Sequence, residues 1–192
     1  LRVVQNGIGM KEYASVELGG IQNMWSLREK FDDTRDAYLV QSYVGETRVL
    51  GVTSVEAEGG MKEDGPPGAE DGDEIMTGEE AGSTLEEVFL PGLESNASTL
   101  FVTNVVGDLF LQITENRLRM ANESGQVLDT FEPESQMTVA AANEAGQIAV
   151  ALRGGKVLYL EIKDGKIHQA ASKQMDREVS CLDINPFLTA DK

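Results

Sequence analysis

The side chains through which this 192-residue chain could do chemistry are few, and each lacks the company its chemistry needs. His168 is the only histidine and Cys181 the only cysteine. A nucleophilic thiol needs a base within hydrogen-bond reach, and a structural zinc needs a cluster of nitrogen and sulfur ligands. His168 therefore reads as an ordinary strand histidine and Cys181 as a small buried hydrophobe. Asp71-Gly72-Asp73-Glu74 has the outline of a calcium loop, but Ile75 stands where the fifth-position ligand belongs and Met76 where the sharp turn needs glycine. Gly7 and Gly9 lack the third glycine and following helix of a dinucleotide site, so they read as turn glycines. Asp183 is the one acid placed in an inner strand, without the second carboxylate or metal cluster a hydrolase would need. No catalytic, metal-binding or cofactor-binding residue is nominated, and the chain reads as non-enzymatic.

Two further signals have plain alternatives. Thr77, Ser83 and Thr84 each precede an acid by three residues (Glu80, Glu86, Glu87), the pattern of acid-directed phosphorylation; Ser83 and Glu86 equally spell a helix capping box. Trp25 could anchor a partner, since tryptophan is favoured at interface hot spots. Its place in an alternating strand favours core packing.

The charge is unevenly spread. Between Glu56 and Glu87 stand twelve acids against one base, Lys62, which supplies −11 of the net −17. With seven glycines and Pro66-Pro67, residues 56–87 cannot bury enough apolar surface to offset their ordering entropy, and they read as an acidic disordered insertion. About 160 residues remain, enough for one ordinary core. The acidity opposes direct binding to phosphate backbones. No apolar run approaches membrane-spanning length, no signal peptide is evident, and a single cysteine excludes an internal disulfide. Asn96-Ala97-Ser98 and Asn122-Glu123-Ser124 spell the glycosylation pattern, read as coincidence without an export signal. Leu1 already falls inside a strand pattern, so the chain reads as an excerpt of something larger.

The elements that must position any site are strands. Met10, Glu12, Ala14, Val16 and Leu18 alternate with Lys11, Tyr13, Ser15 and Glu17, and Ile148, Val150 and Leu152 alternate with Gln147, Ala149 and Ala151. Turn signals separate such runs, among them Gly45-Glu46, Gly107-Asp108, Glu115-Asn116, Gly154-Gly155 and Asp164-Gly165. The strands group by four. One set covers 99–106, 109–114, 117–121 and 127–131; the next covers 137–143, 147–152, 156–162 and 167–173; a further first strand is predicted at 178–184. Upstream, 23–28, 37–44 and 47–53 form another set whose fourth strand the acidic segment delays. First strands near residues 100, 137 and 178 give a period of about 40, the size of a four-stranded propeller blade. Small residues in the inner strands (Ala140-Ala141-Ala142, Ser180-Cys181) suit the crowded channel side. A β-sandwich is the other architecture with short, regular strands, and the four-strand period favours the propeller over it. The fold class is thus all-β: a partial β-propeller of four-stranded antiparallel blades, about three blades plus flanking strands. Residues 1–192 form a segment of one propeller, an arc too short to close a ring.

The wording of the strands resembles a known family. Leu1-Arg2-Val3-Val4, Asn6-Gly7-Ile8-Gly9, Ala14-Ser15, Gly20-Ile21, Trp25 and Leu27-Arg28 resemble the opening of the second propeller in the large subunit of the damaged-DNA-binding complex. Val44-Gly45 with Thr47-Arg48-Val49-Leu50, then Gln112-Ile113-Thr114, then Glu178-Val179 with Cys181-Leu182-Asp183-Ile184 and Pro186 continue it in order. Residues 56–87 depart from the pattern. The large subunits of the splicing branch-site complex and of the cleavage and polyadenylation factor share the architecture, and Asp36-Ala37-Tyr38 leans towards the splicing relative. The resemblance implies a non-enzymatic scaffold without cofactors, whose middle propeller docks a cullin-4-type scaffold protein while the other two hold substrate-receptor proteins for ubiquitin transfer. It implies contact with damaged DNA only through a partner subunit, no membrane association, and a nuclear location with the cytoplasm as second compartment. An RNA-processing scaffold is the alternative function, and a hydrolase built on a propeller a third class. No cullin-contacting residue of the family maps onto this chain individually.

Topology alone nominates a binding face. In a four-stranded meander, connections one–two and three–four lie at one end of the blades, and two–three and four–one at the other. The acidic segment crowds the first end with Gly107-Asp108 and Glu144–Gly146. The opposite end carries the partner-binding candidates Glu46, Asn116, Arg153, Gln174 and Arg177.

Overall fold

Alternating strands with short glycine turns leave each sheet two faces to cover, and the chain covers them by stacking sheets. A computed structural model describes residues 19–54 and 83–184. Within them lie twelve strands and no helix. Blade 1 is β1 (Asn23–Leu27), β2 (Tyr38–Tyr43), β3 (Glu46–Ser54) and β4 (Ser83–Glu87). Blade 2 is β5 (Thr99–Val105), β6 (Leu109–Thr114), β7 (Leu118–Asn122) and β8 (Val127–Phe131); blade 3 is β9 (Met137–Ala142), β10 (Gln147–Leu152), β11 (Lys156–Lys163) and β12 (Lys166–Gln174). Each is an antiparallel meander in sequence order. The inner strands touch one another, β1 with β5 and β5 with β9, as in a propeller arc.

Two dry seams hold the arc. Between blades 2 and 3, Leu111, Ile113, Leu118 and Met120 pack against Met137, Ile148, Val150, Leu152 and Leu160, almost all fully buried. Each such side chain contributes about 1.5–3 kcal/mol of burial. β6 is buried from Phe110 to Thr114 because it has neighbours on both faces. Between blades 1 and 2, Leu27, Val40 and Val49 meet Val102 and Phe110 through Leu90 and Leu93, which belong to the β4–β5 connection. Trp25 packs on this seam, edge-on to Phe101 with ring centroids 6.3 Å apart. Core packing is therefore its role.

The β4–β5 connection is a wedge. Gly92 and Gly125 adopt φ of 90° and 80°, and their backbones interlock: a Cβ on Gly125 would lie 2.0 Å from Pro91 Cβ, and one on Gly92 2.5 Å from Ala121 Cβ. Only glycine gives that approach without strain. The Gln112 amide, fully buried, fastens the wedge: its Oε1 accepts from Glu94 N (2.6 Å), and its Nε2 donates to Glu94 O (3.0 Å) and Thr99 Oγ1 (2.8 Å). Thr99 Oγ1 also meets Thr47 Oγ1 of blade 1 at 2.8 Å, and Thr99 N donates to Ser42 Oγ. At the insert-bearing end the inner rim is tied separately. Arg28 N donates to Asn104 Oδ1, Asn104 Nδ2 donates to Arg28 O, and the Arg28 guanidinium reaches Glu144 in blade 3 at 2.5 Å.

Three readings change. Ser83–Glu87, inside the segment read as an acidic disordered insertion, is β4, paired from Ser54↔Ser83 to Leu50↔Glu87. An open β3 edge satisfies more backbone groups than a capping box would, so Ser83 starts a strand and not a helix. The rest of that segment lies outside the described residues, as do the calcium-like run, Thr77, Gly7 and Gly9. Residues 178–184 are not a strand. A strand exists by pairing, and no described strand lies beside them. Cys181 is accordingly exposed, not buried.

Candidate partner-binding face

Each candidate residue sits where a strand ends, because the meander returns at that end of the blades. Glu46 opens β3 after the Val44-Gly45 turn, where Gly45 has φ of 72°. Its carboxylate accepts from Arg48 Nε (2.9 Å) and Nη2 (3.3 Å), both on the same strand face. Asn116 is exposed at the tip of the β6–β7 turn, whose Glu115 O accepts Met137 N across to blade 3. Arg153 is exposed; its backbone N donates to Gln136 O and its carbonyl accepts Ser135 Oγ. Gln174 Nε2 donates to Gly154 O (2.7 Å), Glu178 Oε1 accepts Gly154 N (2.6 Å), and the Arg177 carbonyl closes over Gly155. Arg153, Gln174 and Arg177 thus share one laced patch of blade 3. Glu46 and Asn116 stand in separate turns of blades 1 and 2.

Residues that the pattern did not nominate build most of a groove on this face. β3 begins at Glu46 but β4 pairs with it only from Leu50 onward, so β3 outruns its neighbour. The chain leaving β4 crosses the gap: Val88 N donates to Val49 O, Thr47 N to Ser95 O, and Gly45 N to Ser98 Oγ. What remains is a groove of about 740 Å³. Its floor is Val49, Leu90 and Leu93 from the seam; Val44 and Phe89 flank it, 80% and 79% exposed. Glu46, Arg48, Glu87 and Glu94 also line it. Glu94 Oε2 lies 3.7 Å from Arg117 Nε and 3.8 Å from Arg119 Nη2, yet is buried without a hydrogen bond. Arg48 is held above its ordinary pKa by its hydrogen bond to Glu46, then by the charges of Glu46 and Glu87. The sequence signal was slight: Val44 and Phe89 are apolar residues placed at strand ends, where periodicity stops informing.

A second polar row crosses the open face of blade 3. Asn143 Nδ2 donates to Gln147 Oε1, Gln147 Nε2 donates to Tyr159 Oη, and Tyr159 Oη donates to Glu161 Oε1, while Glu161 Oε2 pairs with Lys163. Burial and the Glu161 bond raise the Tyr159 pKa, and the Lys163 bond, then that of Tyr159, lowers the Glu161 carboxyl. His168 lies opposite Glu161 in the strand register and is exposed. Among the described residues no group of three or more His, Cys, Asp or Glu could hold a metal, and no helix is long and apolar enough to cross a membrane.

Comparison with known proteins sets this geometry in context. The family model described as RSE1/DDB1/CPSF1 second beta-propeller matches residues 75–190. The chain is similar to DNA damage-binding protein 1 of Oryza sativa subsp. japonica, 38% identical over 190 residues. It is 37% identical over 189 residues to DNA damage-binding protein 1 of Solanum lycopersicum and to DNA damage-binding protein 1a of Arabidopsis thaliana. Each alignment takes in 97% of this chain and 15% of the relative, so the chain spans about 15% of the length of the curated relatives it matches.

Proposed function

The chain belongs to the RSE1/DDB1/CPSF1 second-propeller family, and from that premise we propose that it is the cullin-docking part of a non-enzymatic adaptor. In this reading it links substrate receptors to a cullin-4-type ubiquitin ligase, in the nucleus, in the service of DNA-damage recognition and repair. The observation that carries the reading is the 36–38% identity along 97% of the chain to proteins named for damaged-DNA binding. That identity weighs for this member over the splicing and polyadenylation relatives. The acidity, −17 overall, supports nucleic-acid contact through a partner subunit and not through this surface.

The docking face in this proposal is the end opposite the insert, with Glu46, Asn116, Arg153, Gln174 and Arg177 exposed on it. Its support is topological: Ser54 and Ser83, between which the acidic segment is inserted, pair at the other end of blade 1, while Arg153, Gln174 and Arg177 belong to a laced patch here. The test is a pull-down of the cullin amino-terminal domain by the full-length protein with Glu46, Asn116 and Arg153 replaced together. Binding should fall at least tenfold. Unchanged binding, with loss on replacing the β5–β6 and β9–β10 turns, overturns the face.

A further inference from the structure

The groove beside β3 has the makings of a binding site for a particular kind of chain. Its volume of about 740 Å³ falls in the range of ligand pockets. Its floor opens onto the blade 1–blade 2 seam at Val49, Leu90 and Leu93, so an inserted apolar side chain would continue a core already there. Val44 and Phe89 offer two of the most exposed large apolar side chains of the described surface to clamp it. Of its four charged lining residues, Glu46 and Arg48 pair with each other, Arg48 lying 5.3 Å from the Tyr43 ring centroid, and Glu94 faces Arg117 and Arg119, which leaves Glu87 as the acid not held in a salt bridge. Glu87 is exposed at the mouth. The wedge's hydrogen bonds to Thr47, Val49 and Gly45 hold both walls, so little ordering remains to oppose binding.

We propose that this groove binds a short extended segment of a partner protein, one that inserts an apolar anchor between Val44 and Phe89 and sets a flanking lysine or arginine against Glu87. Glu87, on a chain of net charge −17, selects for basic peptides and against acidic ones, and an anchor in a desolvated pocket ringed by polar groups is where interface energy concentrates. The proposal rests on the adaptor reading only in that the occupant is a protein. It names a site separate from the blade 3 patch.

The probe is a random heptapeptide phage library panned on the full-length protein, with the Phe89→Ser/Glu87→Lys protein as the subtracting bait. Both side chains are exposed, so the double variant should keep the wild-type melting temperature, and that is measured first; Val44→Ser is the substitute bait if it does not. The surviving peptides should carry an aromatic or branched apolar residue within two positions of Lys or Arg. A synthetic peptide of that kind should lose at least tenfold in affinity to Phe89→Ser and to Glu87→Lys measured separately. No survivors after subtraction overturns the proposal, as would result if residues 1–18 of the chain itself filled the groove. Acidic survivors, or equal binding to wild type and variants, overturn it as well. The cullin pull-down is run on the same variants: peptide binding without cullin binding sinks the adaptor reading alone, and cullin binding without peptide selection sinks the groove alone.

Discussion

Replacing Gln112 by leucine isolates the fastening of the wedge. The side chain is fully buried and of similar size to leucine, so little cavity results; what is lost is three hydrogen bonds. Thr99 Oγ1 keeps its Thr47 partner, but Glu94 N–H and C=O lose theirs between the two blades. A buried polar group left without a partner costs about 1–3 kcal/mol. Two such groups, less about 1 kcal/mol for the added apolar burial, give roughly 1–5 kcal/mol of local destabilisation. The loss belongs to the blade 1–blade 2 seam, so hydrogen exchange of the full-length protein is the suitable assay. Protection of amides in 94–105, 109–114 and 46–50 should fall roughly 5-fold to 5,000-fold, at about 1.36 kcal/mol per decade. Blade 3 amides should change little. A Thr99→Val/Gln112→Leu double-mutant cycle should show about 1 kcal/mol of coupling. Exchange within about threefold of wild type would refute the argument, by showing that water reaches Glu94 freely or that the wedge is held by apolar contact alone.

The interlocked turns make a second test: Gly125→Ala should destabilise by more than about 3 kcal/mol, since a Cβ there collides with Pro91, whereas Gly107→Ala, at φ 92° with open space, should cost only about 1 kcal/mol of backbone strain, both by denaturant melts. Asn104→Ala should loosen β1 from blade 2 by about 2 kcal/mol, while Glu144→Ala, removing an exposed partner of Arg28, should cost under about 1 kcal/mol. Replacing residues 56–82 by a four-residue glycine-serine turn should leave the melting temperature unchanged, because Ser54 and Ser83 are already paired; extending the deletion through Glu87 removes β4 and should lower it. The Glu161 carboxyl is held below its ordinary value, so its contribution is present above pH 4.5 and is lost as pH falls through the folded value. Lys163→Ala, removing the largest cause, should move that titration upward in carboxyl carbon-13 spectra.

Strand order, blade grouping and most strand limits could be read from alternation and glycine turns because those signals are local. β6 shows the boundary of that legibility: Leu109–Thr114 carries apolar residues on both faces at Phe110, Leu111 and Ile113, and is buried on both, with the polar Gln112 and Thr114 buried among them. β4 escaped because Glu86 and Glu87 carry the composition of the acidic segment while pairing, which settles the matter, is non-local. Leu90 and Leu93 fell between patterns, so a connection was not recognised as core. Gln112, Thr99 and Thr47 looked like ordinary strand polars; their shared network depends on two blades meeting. The groove was invisible for a related reason, since Val44 and Phe89 are distant in sequence and come to line one groove only where β3 outruns β4.

The wedge also sets an order of events during synthesis. β1, β2 and β3 leave the ribosome together, but the residues that seat the β4–β5 connection, Phe110, Gln112 and the Gly125 turn, are made after it. At 5–20 residues per second, the stretch from Glu87 to Gly125 takes roughly 2–8 s to appear. For that interval blade 1 has a bare seam face, with Val40 and Val49 open to any nascent neighbour, so a ribosome-bound chaperone with a taste for branched aliphatic strands should dwell longest on this protein while blade 2 is being translated.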